Sequence, residues 1–183
     1  QRYAQGFTYE GYLAQMPSNR ERYQEGDAAF KLSAEDAIFF KDIVRKAGGM
    51  KALAIIEDWC PDAHRGLPIV ARIAQASGME LRVFYRDKNP DIINLYLNQG
   101  KFQSIPVFAF FDKDLKPVRH WIERPAVATK FMEELLAELA KKKLSEEETR
   151  QERRQRNAPM ADSWRQETVK ELKALLAKAA SKG

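Results

Sequence analysis

The residue best suited to covalent chemistry in this sequence is Cys60, the only cysteine of the chain. It stands in the segment Trp59-Cys60-Pro61-Asp62, shortly after the apolar run at 52–56. A strand that turns here into a helix beginning near Pro61 would place the sulfur at the helix N-terminus, where free backbone N–H groups and the helix dipole favour thiolate. We therefore predict a reactive thiol held at the surface. A small, buried and inert side chain is the alternative.

The charged side chains around Cys60 oppose one another in their effect on its thiol. Two residues that follow Cys60, His64 and Arg65, would favour its thiolate form. Three acids that flank Cys60 would disfavour the thiolate: Glu57, Asp58 and Asp62. We therefore predict that the pKa of Cys60 falls only modestly below its ordinary value. His64, four residues after Cys60, could also form a Cys–His pair of the kind that activates nucleophiles, although no residue can be named to orient it.

The remaining candidates for chemistry are few. Trp59 is expected beside the sulfur, either as a lid that offers apolar surface to substrates or as an ordinary packing residue. His120 falls in a predicted strand, where a structural role is expected. The two histidines and the one cysteine lack the spacing of metal ligands, and the sequence has no glycine-rich phosphate loop. We therefore expect no metal and no bound cofactor.

Composition bounds the class of protein. The chain has 183 residues, of which 44% are hydrophobic and 31% charged, as is typical of one soluble globular domain with extensions. No apolar run approaches the roughly 20 residues that a membrane span needs. The segment Gln1–Tyr12 has no apolar region of the signal-peptide kind, and a single cysteine cannot form an internal disulfide. A reducing cytoplasm is therefore the expected location.

The positive charge is concentrated in the C-terminal tail. Up to Ala140 there are 19 basic and 19 acidic residues, whereas from Lys141 onward there are 12 basic and 7 acidic. Such a tail could bind nucleic acid or anionic lipid. Its acids and bases alternate at helical spacing, however, and no aromatic residue lies between Lys141 and Arg156 to stack on bases. We therefore expect a solvated helix surface, with nucleic acid an improbable partner.

The sequence predicts that both helices and strands position the candidate residues around Cys60. Residues 1–49 are expected to form a helical extension, with helices at Thr8–Gln15, at Arg22–Phe30 and from Ser33 to Gly48. A strand–helix–strand unit follows at Ala52–Ile56, Pro61–Ala76 and Leu81–Tyr85, and implies a parallel pair of strands. The last elements of this part are a helix from Asn89 to Gly100, a hairpin of Pro106–Phe111 with Leu115–Ile122, and a helix from about Pro125.

The segment 141–183 is expected to form a basic helical extension. Asn157-Ala158-Pro159 should break it, and a last helix should begin at Ser163. That helix carries an apolar stripe of Val169, Leu172, Leu175 and Leu176. An apolar stripe on a surface helix normally faces a core, so we predict that this helix packs back on the parent domain rather than reaching a partner.

Two motifs in this order of elements resemble those of the thioredoxin superfamily. They are Trp59-Cys60-Pro61-Asp62 at the end of one strand and Ser104-Ile105-Pro106 at the start of another, and the resemblance covers residues 50–140. It implies a thioredoxin-like α/β fold, with a mixed sheet of about four strands flanked by helices. It also implies that the Ile105-Pro106 bond is cis beside the sulfur, and that a substrate backbone aligns there. The implied substrate-binding residues are Trp59, Pro61, Ile105 and Pro106.

The sequence departs from the thioredoxin pattern at two positions and so looks like a bacterial branch of the superfamily with a single active-site cysteine. Ala63 stands where dithiol thioredoxins have their second cysteine, and Ala54 stands where they usually have a buried acid. With no second sulfur in the chain, a mixed disulfide on Cys60 could be released only by an external thiol such as glutathione.

Two functions remain open at this stage. One is a monothiol thiol–disulfide oxidoreductase that acts through Cys60 on protein disulfides or glutathionylated thiols, with Asp58, Asp62 and His64 as modulators. The other is a redox-inactive binding module that recognises extended peptides beside Pro106 by strand-like pairing.

Overall fold

The N-terminal part of the chain is helical in the computed structural model, which describes residues 2–180 and side chains to residue 178. A short 3-10 helix at Tyr3–Gln5 precedes three helices: α1 (Tyr9–Gln15), α2 (Arg20–Ala29) and α3 (Ala34–Lys46). Side-chain caps begin two of them, because Thr8 accepts from the Gly11 amide and Ser33 from the Asp36 amide. This part of the chain therefore forms helices, as the sequence predicts.

A strand–helix–strand unit follows and carries the Cys60 segment. It consists of β1 (Met50–Ile56), α4 (Pro61–Ser77) and β2 (Glu80–Tyr85). Gly78 ends α4 in the left-handed conformation, with a φ of 77° that glycine adopts without strain. β1 and β2 pair in parallel, as predicted.

The segment between β2 and the next strand is less helical than predicted. Only α5 (Pro90–Ile93) is formed, so the predicted helix from Asn89 to Gly100 is wrong in its second half. The chain turns instead, because Gln99 and Gly100 have positive φ and the backbone of Asn98 pairs with that of Phe102.

The sheet is completed by a hairpin of β3 (Val107–Asp112) and β4 (Pro117–Ile122). The strand order is β2-β1-β3-β4, and β3 lies antiparallel to both of its neighbours. This is the mixed four-stranded sheet that was predicted. β1 and β3 occupy the centre of the sheet and are almost wholly buried. The segment that carries Cys60 therefore follows directly on a central, well-packed strand.

Three helices form the C-terminal part: α6 (Ala126–Ala140), α7 (Glu146–Asn157) and α8 (Ala161–Ala180). The predicted break at Asn157-Ala158-Pro159 is confirmed, because the α-helix α7 ends at Asn157. The backbone continues through a 3-10 turn, Ala158–Met160, into α8, which begins two residues before Ser163. α7 starts with a capping box between Ser145 and Glu148 and contributes no buried side chain.

The last helix belongs to the main hydrophobic core. Val169, Leu172 and Leu176 are buried there, so the prediction that this helix packs back on the domain is confirmed. Glu171 adds polar contacts, because its carboxylate accepts from Trp121 Nε1 at 2.8 Å and from the Ala126 amide at 2.7 Å. Residues 181–183 of the predicted extension lie outside the described residues. No helix within residues 2–180 has the length and apolarity that a membrane span requires.

Candidate functional site

Cys60 occupies the position that the sequence predicts for it. It is the N-cap residue of α4, with φ −82° and ψ 115°, and Pro61 follows as the first helical residue. Its carbonyl oxygen accepts from the His64 amide at 3.0 Å, which closes the first helical turn. The side chain therefore stands among the backbone N–H groups at the beginning of the helix.

The prediction that this position holds the sulfur at the surface is wrong. Cys60 is only 6% exposed, and its thiol donates a hydrogen bond to the carbonyl oxygen of Ile105 at 3.5 Å. The side chain thus turns inward to a segment that lies 45 residues further along the chain. It borders a cavity rather than open solvent.

The predicted modest fall in the pKa of Cys60 is wrong as well. Burial raises the pKa of the thiol above its ordinary value, and the nearby carboxylate of Asp62 raises it further. The backbone N–H groups of Ala63 and Asp62 and the guanidinium of Arg124 act in the opposite direction. Desolvation therefore outweighs the helix terminus, and the neutral thiol predominates near pH 7.

The Ile105-Pro106 peptide bond is cis and lies beside Cys60, as the resemblance implies. Pro106 is buried, and its carbonyl oxygen accepts from the Glu123 amide at 2.7 Å. Gly66 lets α4 approach this segment closely, because a Cβ there would lie 3.0 Å from Phe108 and 3.6 Å from Pro106. Within residues 2–180, the Ile105 amide N–H makes no hydrogen bond.

His64 and Asp58 interact with each other rather than with the sulfur. The His64 Nε2–H donates to the Asp58 carbonyl oxygen at 2.6 Å, and its ring lies edge-on to that of Tyr23 at 4.9 Å. Burial lowers the pKa of His64, so the neutral imidazole is favoured. The Asp58 carboxylate accepts from Ser18 at 2.7 Å. The hypothetical Cys–His pair is not formed in the described part of the chain.

Asp62 is held by two arginines. It forms ion pairs with Arg65, one helical turn further on, and with Arg124, whose Nη2 lies 2.8 Å from its carboxylate. Arg124 also pairs with Glu123 at 2.5 Å. All these side chains are largely buried, so they restrain one another beside the sulfur. The role of Arg124 at this site could not be predicted from sequence, because Arg124 lies 64 residues from Cys60 and only the fold brings the two together.

A buried acid lies three residues before Cys60. Glu57 is 7% exposed, and its carboxylate accepts from the Asp87 amide at 2.8 Å. Burial raises the pKa of Glu57. This hydrogen bond joins the segments that follow β1 and β2. The sequence shows Glu57 only as one of the acids near Cys60 and does not indicate its bond to Asp87.

An open cavity of about 800 Å³ lies in front of Cys60. Trp59, 52% exposed, forms part of its rim and carries the Arg86 guanidinium over its ring at 5.2 Å. This position favours the interpretation of Trp59 as a surface beside the sulfur. Pro61 and Ile105 also line the cavity, whereas Pro106 lies behind Ile105 against α4. His120 lies apart from the cavity and contacts Tyr96.

The C-terminal helices form the opposite wall of the cavity. α7 contributes Arg150, Arg153, Arg154 and Asn157, and α8 contributes Ala161 and Trp164. Trp164 is buried and lies under the Arg65 guanidinium, 5.0 Å from ring centre to cation. From the sequence this tail is expected to be a solvated helix surface, with nucleic acid or anionic lipid as the alternative partners. Its one signal was the run of bases from Arg150 to Arg156.

Comparisons with known proteins identify the fold to which this site belongs. A family model described as Thioredoxin matches residues 6–141. Among solved structures, a protein of unknown function from Pseudomonas aeruginosa is 14% identical with a TM-score of 0.69, and the match covers 97% of this chain and 95% of that one. An HIV epitope scaffold is 13% identical with a TM-score of 0.65 and coverage of 96% and 95%. The search of curated proteins found no match.

Proposed function

Since the chain belongs to the thioredoxin family, we propose that it carries out thiol–disulfide exchange through Cys60, its single cysteine. One observation carries the proposal. The Cys60 sulfur stands at the N-terminus of α4, 3.5 Å from the carbonyl oxygen that precedes a cis-proline, and borders a cavity large enough for a small ligand.

The reaction proceeds by two exchanges at sulfur. The Cys60 thiolate attacks one sulfur of a substrate disulfide, forms a mixed disulfide with it and releases the other sulfur as a thiolate. An external thiolate such as that of glutathione then attacks the substrate-derived sulfur of the mixed disulfide. This second step releases the Cys60 thiolate and a new disulfide. Protein disulfides and glutathionylated thiols are the substrates proposed, and a reducing cytoplasm would supply the external thiol.

The surroundings of Cys60 make its thiol a slow nucleophile near pH 7 and make its thiolate a poor leaving group. Because burial and Asp62 raise the pKa of the thiol, only a small fraction is thiolate near pH 7. A thiolate of high pKa is intrinsically more nucleophilic once formed, which offsets part of this loss. The rate of exchange should therefore rise with pH through the neutral range.

The Ile105 backbone supports alignment of a substrate. Its free N–H could pair with a carbonyl oxygen of an extended peptide, whereas its own carbonyl oxygen already accepts from the Cys60 thiol. When Cys60 ionises it can no longer donate, and that carbonyl oxygen becomes available as well. Trp59 offers apolar surface at the rim.

A binding module without redox activity is the second candidate. It is favoured by the 6% exposure of Cys60 and by the raised pKa of its thiol, both of which are typical of an inert cysteine. The same free Ile105 N–H would then serve peptide recognition alone.

Turnover of a glutathione mixed disulfide separates the two candidates. We expect the wild-type protein to reduce a glutathionylated peptide in the presence of glutathione, and C60S to be inactive. As a matched control, S104A removes a hydroxyl group near the site without touching the sulfur and should retain activity. If the wild-type protein forms no mixed disulfide at any pH between 6 and 9 but still binds the peptide, the redox function is refuted and the binding module is supported.

A further inference from the structure

The cavity in front of Cys60 has a strongly cationic lining. Six arginines border it against two carboxylates, those of Asp62 and Glu123. The six are contributed by both walls: Arg65, Arg86, Arg124, Arg150, Arg153 and Arg154. Both carboxylates are already engaged, Asp62 by Arg65 and Arg124, and Glu123 by Arg124. The arginines that α7 presents to the cavity are therefore not neutralised by carboxylates of the opposite wall.

Arg153 and Arg154 are the cations left without a partner. Within residues 2–180, neither forms an ion pair, whereas Arg150 pairs with Glu147 at 3.7 Å and Arg156 with Glu138 at 3.0 Å. The Arg153 Nε atom is buried and has no hydrogen-bond partner, and the same holds for the Asn157 Oδ1 atom beside it. Buried donors without partners are costly, and charged ones are more so. A bound anion would satisfy the Arg153 donor.

Apolar packing does not explain why α7 lies over the cavity. The helix has no buried residue, and it brings its own cations towards Arg65 and Arg124. Like charges that line one cavity repel one another, whereas an anion bound between the two walls would attract both. The fork of donors on an arginine also matches the geometry of a carboxylate.

The family match does not extend to this wall of the cavity. It ends at residue 141, and α7 begins at Glu146. α7 therefore lies outside the part of the chain that the family model describes, although it borders the cavity in front of Cys60.

We propose that the cavity between Cys60 and α7 binds a small thiol or disulfide that carries carboxylates, and that Arg153 and Arg154 hold those carboxylates. This inference rests on the proposed function for the sulfur chemistry, since it assigns the external thiol of that reaction to the anionic class. The cavity accommodates one small ligand, with its sulfur towards Cys60 and its carboxylates towards α7. Cationic and neutral thiols lack the second interaction.

Exchange with a panel of small disulfides tests the selectivity. Glutathione disulfide is anionic, bis(2-hydroxyethyl) disulfide is neutral and cystamine is cationic. We normalise each rate of exchange with Cys60 to the intrinsic reactivity of the disulfide with a free thiol. On this scale we expect glutathione disulfide to react roughly tenfold or more faster than cystamine at low salt, because hydrogen bonds between arginine and carboxylate are charge-assisted. The double variant Arg153→Gln with Arg154→Gln should lose this preference. The matched control, Lys170→Gln with Lys178→Gln, removes the same charge from exposed positions of α8 outside the cavity.

Binding of S-methylglutathione keeps the test independent of redox activity, because its thioether cannot exchange. We expect calorimetry to detect binding to the wild-type protein and roughly tenfold weaker binding to the double arginine variant. Binding of S-methylglutathione with no exchange at Cys60 would uphold the anion site and remove the proposed function. Exchange at equal normalised rates with all three disulfides would uphold the function and overturn this inference. Inorganic phosphate that binds as tightly as S-methylglutathione would also overturn it.

Discussion

The Cys60 thiol donates a hydrogen bond to the carbonyl oxygen of Ile105, 3.5 Å away, although 45 residues separate them. This bond turns the sulfur away from solvent and towards the cis-proline segment. It also stabilises the protonated form, because a thiolate has no proton to donate. The geometry that places the sulfur beside the cis-proline segment and the cavity therefore restrains its reactivity near neutral pH.

Alkylation by iodoacetamide should report this restraint. We expect the midpoint of the rate against pH to lie above the ordinary value of a cysteine thiol, since burial and Asp62 raise the pKa of Cys60. The folded protein should react more slowly at pH 7 than the denatured chain, which serves as the control because Cys60 is the only cysteine. A midpoint at or below the ordinary pKa of a cysteine thiol would show that the helix N-terminus outweighs burial and Asp62.

The charge of the reagent should also matter. At low ionic strength we expect the ratio of the iodoacetate rate to the iodoacetamide rate to be roughly tenfold higher for the folded protein than for the denatured chain, because the cavity is cationic. In about 1 M salt, where the screening length is about 3 Å, the ratio should fall towards that of the denatured chain. An unchanged ratio in both salts would contradict a cationic path to the sulfur.

The lowered pKa of His64 predicts acid sensitivity. A buried neutral imidazole contributes stability that is present above the pKa of the unfolded chain and is lost as pH falls through the lower pKa of the folded state. We therefore expect the free energy of unfolding to fall from pH 7 to pH 5 more steeply in the wild-type protein than in H64Q. Urea titrations at each pH measure it. Parallel slopes for the two proteins would refute the assignment.

Glu171 should contribute substantially to the stability of the contact between α8 and the rest of the fold. Removing its carboxylate in E171A leaves Trp121 Nε1 and the Ala126 amide without their acceptor. We expect a loss of about 1–3 kcal/mol in the free energy of unfolding. On the same helix, E167A breaks only the pair with Lys170 and should cost less than about 0.5 kcal/mol. Equal losses in denaturant titrations would argue against this role.

Gly26 should resist replacement by alanine. A Cβ there would lie 2.5 Å from the His64 carbonyl oxygen, and backbone atoms in a helix cannot move aside cheaply. We expect G26A to lose about 1–3 kcal/mol of stability, despite the higher helix propensity of alanine. Q24A, at an exposed position of α2, should be neutral or slightly stabilising. Thermal unfolding of the two variants provides the comparison.

The local features of the site could be predicted from sequence. The N-cap position of Cys60 follows from an apolar strand and Pro61, and the mixed sheet follows from the alternation of elements. The burial of the sulfur could not be predicted, because it depends on the Ile105 carbonyl oxygen and on a cavity that α7 borders on its far side. The short α5 shows the same limit, since a backbone pairing of Asn98 with Phe102 prevails over the helical pattern.

The position of α8 bears on where a shortened form of this protein could end. A chain cut at residue 141, where the family match stops, would keep all four strands and Cys60. It would also leave uncovered the apolar surface that Val169, Leu172 and Leu176 now shield. Contiguous apolar surface of this kind drives self-association in water. We therefore expect the tail to protect the part of the molecule that carries Cys60 from self-association.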